Sequence, residues 1–327
     1  MELERNILHE LYETAESYPV TTIIGPRQSG KTTLAKAAFP QKPYVNLEAP
    51  DQRELALQDP RHFLEKYPDG AIFDEIQRTP ELLSYIQTIV DEKEEHGLFI
   101  LTGSHQLSLQ EGISQSLAGR TGMLHLLPLS LSEIKTKVRN FSLEEQLFYG
   151  GYPKIYKQNI SPQRFYRDYV QTYLERDVKQ ISHIKDLDQF RRFLQLCASR
   201  AGSLLDYTSL SNELGIARST AKEWLSVLQA SFILNTLPPY FENFGKRITK
   251  SPKIYFNDVG LLCYLLGIQE PEQIETHPLR GMLFENLVYT ELKKLHYNRG
   301  KEANFYFYRD SNQIEIDLMY QQGSDLI

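Results

Sequence analysis

A β-branched run, Val20-Thr21-Thr22-Ile23-Ile24, passes directly into Gly25-Pro26-Arg27-Gln28-Ser29-Gly30-Lys31-Thr32 and then into a helix-forming segment that lasts to Ala38. This is a complete G-x-x-x-x-G-K-[ST] phosphate loop in its strand-loop-helix context. The residue types follow from the chemistry. Gly25 and Gly30 let the backbone wrap closely, so that its N–H groups point at phosphate oxygens beside a helix N-terminus that itself favours anions. Lys31 is positioned for the β- and γ-phosphates and Thr32 for Mg²⁺. Gly25, Pro26, Arg27, Gln28, Ser29, Gly30, Lys31, Thr32 and Thr33 are therefore the candidate nucleotide contacts, with ATP or ADP and Mg²⁺ as the expected ligands.

A phosphate loop needs a second acidic motif, and Gly70-Ala71-Ile72-Phe73-Asp74-Glu75-Ile76-Gln77 supplies one. A short apolar run ending in Asp-Glu reads as a buried parallel strand whose C-terminal end presents two carboxylates. Asp74 is the second candidate for Mg²⁺, beside Thr32, and Glu75 the candidate that polarises the attacking water. Further strands are expected at Tyr44–Asn46, Leu98–Thr102 and Met123–Leu127, and helices at Arg5–Ala15, Lys31–Ala38 and Pro80–Val90. Thr102 or Ser104, at the end of the fourth of these strands, is placed to contact the γ-phosphate or the water, and Ser104 is taken as the catalytic candidate. Arg120, after Ser116-Leu117-Ala118-Gly119, is a candidate arginine finger, which offsets charge growing on the γ-phosphate. Acting on a neighbour's nucleotide, it would require a homo-oligomer or another protein partner. Five apolar strands separated by helical segments predict an α/β parallel sheet with covered faces.

At 327 residues the chain is long enough for two or three domains. No apolar run approaches the roughly 18 residues of a membrane span, so no membrane association and a cytoplasmic location are expected. Cys197 and Cys263 sit far apart among apolar residues, which reads as two buried thiols in a reducing compartment. The net charge of −6 conceals an uneven distribution. Residues 1–150 carry 14 Lys+Arg against 22 Asp+Glu, residues 151–260 carry 16 against 10, and residues 261–327 carry 6 against 10. The middle segment is the one region suited to a polyanion.

Taken with Leu101-Thr102-Gly103-Ser104, Ser116-Leu117-Ala118-Gly119-Arg120, Tyr149-Gly150-Gly151-Tyr152-Pro153, Tyr173-Leu174-Glu175-Arg176-Asp177 and Lys246-Arg247-Ile248-Thr249-Lys250-Ser251-Pro252-Lys253, the chain resembles the AAA+-type P-loop ATPases that carry a C-terminal domain of unknown function. The resemblance spans nearly the whole chain. It implies ATP binding and hydrolysis through Lys31, Thr32, Asp74 and Glu75.

Residues Tyr207–Ala230 read as a helix-turn-helix: Leu210 and Leu214 on one face, Gly215 at the turn, then Ala221, Trp224, Leu225 and Leu228 at helical spacing. Strands at Phe232–Leu237 and Lys253–Phe256 would complete a winged helix, and the family resemblance points the same way. Its second helix is expected to turn Arg218, Ser219, Lys222, Ser226 and Gln229 outward, while the loop before the second strand adds Lys246, Arg247, Lys250 and Lys253, where a wing could lie against a DNA backbone. Arg218, Lys222, Lys246 and Arg247 are candidate contacts to double-stranded DNA; the alternative is a packing or nucleotide-sensing module. The tyrosines at 149, 152, 156, 166, 169 and 173 read as a packing face rather than a base-stacking platform. Finally, a helix from Arg280 bearing Glu285, followed by strands Asn304–Tyr308 and Ile314–Tyr320 bearing Glu315 and Asp317, resembles the start of a PD-(D/E)xK nuclease core. Such cores use clustered carboxylates for a divalent metal and a further acidic-x-Lys strand, which the 327 residues do not contain, so cleavage is the least expected activity. The expected architecture is α/β: a P-loop ATPase core over residues 1–150, a helical and winged-helix domain over 151–270, and a partial nuclease-like α/β segment over 271–327.

Overall fold

The structure, a computed structural model, describes residues 4–104, 113, 115–136, 141–174, 186–242, 250–310, 312, 314–323 and 325–327. The chain forms two compact units, one running to Leu127 and including Tyr297–Lys301, the other comprising Pro128–His296 and Glu302–Ile327. Residues 128–150, grouped above with the first segment, thus lie in the second unit.

The first unit is built on five strands, β1 (Val20–Ile24), β2 (Tyr44–Asn46), β3 (Ile72–Asp74), β4 (Phe99–Gly103) and β5 (Thr121–His125), in the order β2-β3-β4-β1-β5. All pairings are parallel, with Val20 opposite Phe99 and Thr121 and Phe73 opposite Leu101. β1 and β4 are buried along their whole length, as expected of central strands covered on both faces. The helices are α1 (Leu8–Ser17), α2 (Lys31–Ala38), α3 (Pro50–Gln58), α4 (Pro60–Glu65) and α5 (Leu82–Lys93). Leu11 and Ala15 of α1 and Leu34 and Ala35 of α2 close over Ile23, Ile72 and Ile100. The first helix starts three residues later than its apolar spacing suggests. Arg5 is instead drawn out of the helix, its guanidinium donating to the carbonyls of Ser29 and Leu127, 2.7 Å each. The last strand begins at Thr121 rather than Met123, because pairing with β1 continues back to Val20.

The second unit is mainly helical: α6 (Leu131–Lys135), α7 (Leu143–Tyr149), α8 (Pro153–Gln158), α9 (Pro162–Tyr169), α10 (Leu187–Ser199), α11 (Tyr207–Leu214), α12 (Arg218–Ala230), α13 (Val259–Leu265), α14 (Glu272–Glu275) and α15 (Arg280–Tyr297). Capping boxes at Ser130/Glu133 and Ser142/Glu145 start α6 and α7. Tyr152, Tyr166 and Tyr169 are buried and touch one another through their rings, and the Tyr166 hydroxyl donates to the buried Asp258 carboxylate at 2.7 Å. Tyr152, Tyr166 and Tyr169 therefore form a packing face, as their spacing suggests, while the Tyr173 side chain lies outside the described residues. Both cysteines are buried free thiols.

Gly215, at φ 64°, ends α11 and turns the chain into α12, whose Ala221, Trp224, Leu225 and Leu228 face the core. Strands β6 (Leu234–Leu237) and β7 (Lys253–Phe256) follow as an antiparallel pair. β6 starts two residues later than expected, because Phe232 takes a left-handed conformation, φ 57°. After α15, strands β8 (Phe305–Arg309), β9 (Glu315–Gln322) and β10 (Asp325–Leu326) form an antiparallel sheet. Among the described residues, no helix is long and apolar enough to cross a membrane.

Candidate functional site

The candidate residues of the first unit converge because parallel strands all present their C-terminal ends on one edge of the sheet. β1 ends at Ile24 and hands over to the phosphate loop, β3 ends at Asp74, and β4 ends at Gly103. Gly25 is pinned between neighbours: its N–H donates to the Gly103 carbonyl at 3.3 Å, and a Cβ here would stand 2.1 Å from the Leu126 carbonyl oxygen. Gly30 takes φ 98° and ψ 17°, a left-handed turn that L side chains rarely adopt, and α2 begins at the next residue.

Lys31, 4% exposed, donates its ammonium to the carbonyls of Gly25 and Pro26, at 3.0 and 2.9 Å, so it lies folded across the loop it belongs to. The Thr32 hydroxyl donates to both oxygens of Asp74, at 2.9 and 3.0 Å. Asp74, 6% exposed, also accepts from Tyr44 at 2.9 Å and from Thr102. Three hydroxyls from three different elements thus hold one carboxylate. The Tyr44 phenol is correspondingly pushed above its ordinary pKa, first by burial and then by the adjacent Asp74 charge.

Glu75 has φ 59° and ψ 45°, a left-handed backbone unusual for a side-chain-bearing residue and a known way of storing strain at sites. Its carboxylate accepts from Ser104 at 2.8 Å and from the Gln77 amide, which also donates to the Ser104 hydroxyl at 3.2 Å. Glu75, Gln77 and Ser104 form a closed triangle at the ends of β3 and β4. On the β2 side, Glu48 lies 3.6 Å from Arg27 of the loop and 3.3 Å from Arg78.

The donor set fits a nucleoside triphosphate with a divalent cation. Ser29 Oγ, a hydroxyl able to donate to a phosphate oxygen, is buried in the loop without a hydrogen-bond partner, as are the acceptor oxygens Gln28 Oε1 and Gln77 Oε1, which suit a water or cation instead. Thr32 and Asp74, hard oxygen ligands already in contact, are the pair that would hold Mg²⁺. A bound Mg²⁺ would spread the negative charge of the phosphates; Lys31 and the loop N–H groups are the donors that would face them, and Glu75 is the carboxylate beside them.

Arg120 is not part of this constellation. Its backbone carbonyl accepts from Val20 N at the start of β1, so it sits at the opposite edge of the sheet from the loop after Ile24. With five residues of strand between, at about 3.3 Å each, it lies well beyond reach of its own loop. Its guanidinium grips Asp91 bidentately, 2.5 and 2.8 Å, which raises its already high pKa. Contribution to the nucleotide site of the same chain is thereby excluded. Tyr44, Gln77, Glu48 and Arg78 are the contributors that sequence reasoning passed over. Gln77 stood inside the quoted acidic motif, whereas Tyr44 and Glu48 reach the site only through the pairing of β2 with β3.

In the second unit, Arg218, Ser219, Lys222 and Ser226 are exposed on α12, but so is Glu223. Gln229, expected to face outward, instead donates to the Thr236 hydroxyl at 3.2 Å, because β6 packs beside that end of the helix. Lys246 and Arg247 lie outside the described residues. Glu285 and Asp317 do come together, on the buried ammonium of Lys253.

Residues 17–135 match the AAA domain family, residues 140–272 a domain of unknown function (DUF8612), and residues 280–327 a second domain of unknown function (DUF4143). An uncharacterized protein of Mycobacterium tuberculosis and one of Mycobacterium bovis are each 31% identical over 304 residues, covering 92% of this chain and 67% of theirs. Among solved structures, a Walker-type ATPase of Pyrococcus abyssi superposes with a TM-score of 0.55 over 81% of this chain and 96% of its own, at 16% identity, a likeness of fold. At that identity and coverage the chain belongs to the same family as the two mycobacterial proteins, and in this chain an AAA-type domain is followed by two domains of unknown function.

Proposed function

We propose that the chain is a Mg²⁺-dependent ATPase whose nucleotide state governs its helical second unit. The observation that carries the reading is the joint placement of Asp74, Glu75 and Ser104 at the ends of two adjacent strands, β3 and β4, against Thr32 at the start of α2, beside a phosphate loop with unpartnered buried polar atoms. Lys31 exchanges its two loop carbonyls for phosphate oxygens, stronger charge-assisted partners. Glu75, in contact with neutral donors only, accepts a proton-bearing water and orients it for in-line attack. Ser104 and Gln77 fix the carboxylate and so define where that water stands.

Phosphate release from purified protein tests the reading. Turnover is expected to require Mg²⁺ and to disappear in Lys31→Ala. Glu75→Gln should keep ATP affinity and lose roughly a hundredfold or more in turnover, the usual range for a general base. Equal release by wild type and Lys31→Ala would overturn the assignment.

A second reading, an ATP-switched DNA-binding regulator with little turnover, is favoured by one observation: α12 follows a tight turn and exposes Arg218, Ser219, Lys222 and Ser226, with the β6–β7 pair behind it in the manner of a winged helix. It predicts duplex binding that weakens steeply with salt and is lost in Arg218→Ala/Lys222→Ala. Retention of binding in that double variant would remove α12 as the reading helix.

A further inference from the structure

The carboxylates of the nuclease-like segment already have a cation, and it is a lysine. Lys253 on β7 is 3% exposed, and its ammonium lies 3.2 Å from Glu285 on α15, 2.5 Å from Glu315 and 3.1 Å from Asp317 on β9. The remaining contacts are a phenol, a guanidinium and one aromatic ring. Glu285 accepts from the Tyr255 hydroxyl, Glu315 lies 3.6 Å from the Arg309 guanidinium, and the Phe307 ring sits 5.4 Å from the ammonium. Burial alone would discharge the lysine, but Glu315, Glu285 and Asp317 outweigh it and hold the ammonium above its ordinary pKa. The Tyr255 phenol is raised too, by burial first and then by Glu285.

Three carboxylates from a helix and a strand, each turning one oxygen to a common point, form the donor set that a hard divalent cation takes in a metal-dependent nuclease. The common point is occupied by Lys253 Nζ, which a metal could reach only by expelling a buried charge from three partners. Among the described residues, no group of three or more Asp, Glu, His or Cys is disposed to hold a metal ion. A divalent metal therefore does not fit this cluster as it stands.

We propose that Lys253 is a built-in replacement for a divalent cation, which closes the Glu285–Glu315–Asp317 cluster to Mg²⁺ and Mn²⁺ and makes the segment a charge-locked scaffold. The lock draws β7, α15 and β9 together at one point, so its role is in the integrity of the second unit. The inference is independent of ATP hydrolysis by the first unit.

The test is Mn²⁺ uptake by the nucleotide-free full chain, followed through the resonance of free Mn²⁺, with Asp317→Asn as reference. Wild type and Asp317→Asn should take up Mn²⁺ identically, since any weak site at Thr32 and Asp74 is common to both. Lys253→Met, close in shape and uncharged, unmasks three carboxylates and should gain one Mn²⁺ per chain, bound at least tenfold tighter than by wild type and lost in Lys253→Met/Asp317→Asn. Lys253→Gln serves if the methionine variant does not fold by circular dichroism, and the wild-type comparison decides on its own if neither does. Wild-type uptake that depends on Asp317, or a folded Lys253 variant that gains no Mn²⁺, would overturn the proposal. Plasmid nicking supplies a second readout: Mn²⁺-dependent nicking by wild type that vanishes in Asp317→Asn would do the same.

Discussion

Two side chains divide the labour around the acidic pair, and substitution separates them. Tyr44 touches Asp74 and Gln77 touches Glu75, so under the proposed ATPase reading one would act on the metal side and the other on the water side. Removing the Tyr44 hydroxyl leaves Asp74 with Thr32 and Thr102, while the ring that carries Lys36 at 3.7 Å stays in place. Outer partners of metal-binding carboxylates typically contribute about tenfold or more in metal affinity. Tyr44→Phe is therefore expected to raise the Mg²⁺ concentration for half-maximal turnover by about tenfold, with near-normal turnover at saturation. Gln77→Leu should leave the Mg²⁺ requirement and ATP affinity nearly unchanged and lower turnover by about tenfold or more, the lower end of what positioning a base contributes. Magnesium titrations of phosphate release check both, and identical profiles for the two variants would show that the contacts only stiffen the strand ends.

At the level of elements, the strand-loop-helix unit tolerates almost no change where its backbone meets its neighbours. Gly25→Ala would drive a methyl to 2.1 Å from the Leu126 carbonyl oxygen, a backbone atom held by its own bond from Leu126 N to Ile24. Yielding would shift the end of β1, a central strand, or of β5, its edge neighbour, and overpacking of this kind costs about 1–3 kcal/mol. A melting temperature several degrees lower and loss of ATP-analogue binding are the expected results. Retained binding would show that the loop can shift as a body. The same unit explains how much was legible beforehand. Glycine spacing, β-branched runs and the Asp-Glu pair are local signals, and they located β1, β2, α2 and β3 to within a residue or two. The ladder, by contrast, is a long-range property. Tyr44 reaches Asp74 because Asn46 pairs opposite it, and nothing in the stretch around residue 44 carries that information. Lys253 illustrates the same limit: it read as one more basic residue near a loop, yet pairing with Leu237 on one side and the approach of α15 and β9 on the other bury it among carboxylates. Arg120 shows it in reverse, since its motif suggested chemistry while the direction of β5 carried it away from the site.

On the scale of the whole molecule, that displacement makes any catalytic role for Arg120 a matter of assembly. An arginine that precedes β5 cannot serve the loop that follows β1 in the same chain, but it stands on the surface of the first unit, where a neighbouring copy could present a nucleotide to it. Asp91 now holds the guanidinium on an exposed face, an arrangement that contributes little to stability and is readily exchanged for phosphate oxygens. If the chain works as a closed ring or dimer with sites between copies, Arg120→Ala should bind ATP normally, melt within about 1 °C of wild type, and lose turnover by at least about a hundredfold. Wild-type specific activity should also rise with protein concentration as copies associate. The decisive arrangement is complementation: Lys31→Ala retains the arginine and lacks the loop lysine, whereas Arg120→Ala has the reverse defect. Mixing the two inactive proteins should restore part of the turnover, because one interface in the mixed assembly combines an intact loop with an intact arginine. Activity of Arg120→Ala equal to wild type at every concentration would instead reduce the Arg120–Asp91 pair to a surface contact between α5 and the start of β5.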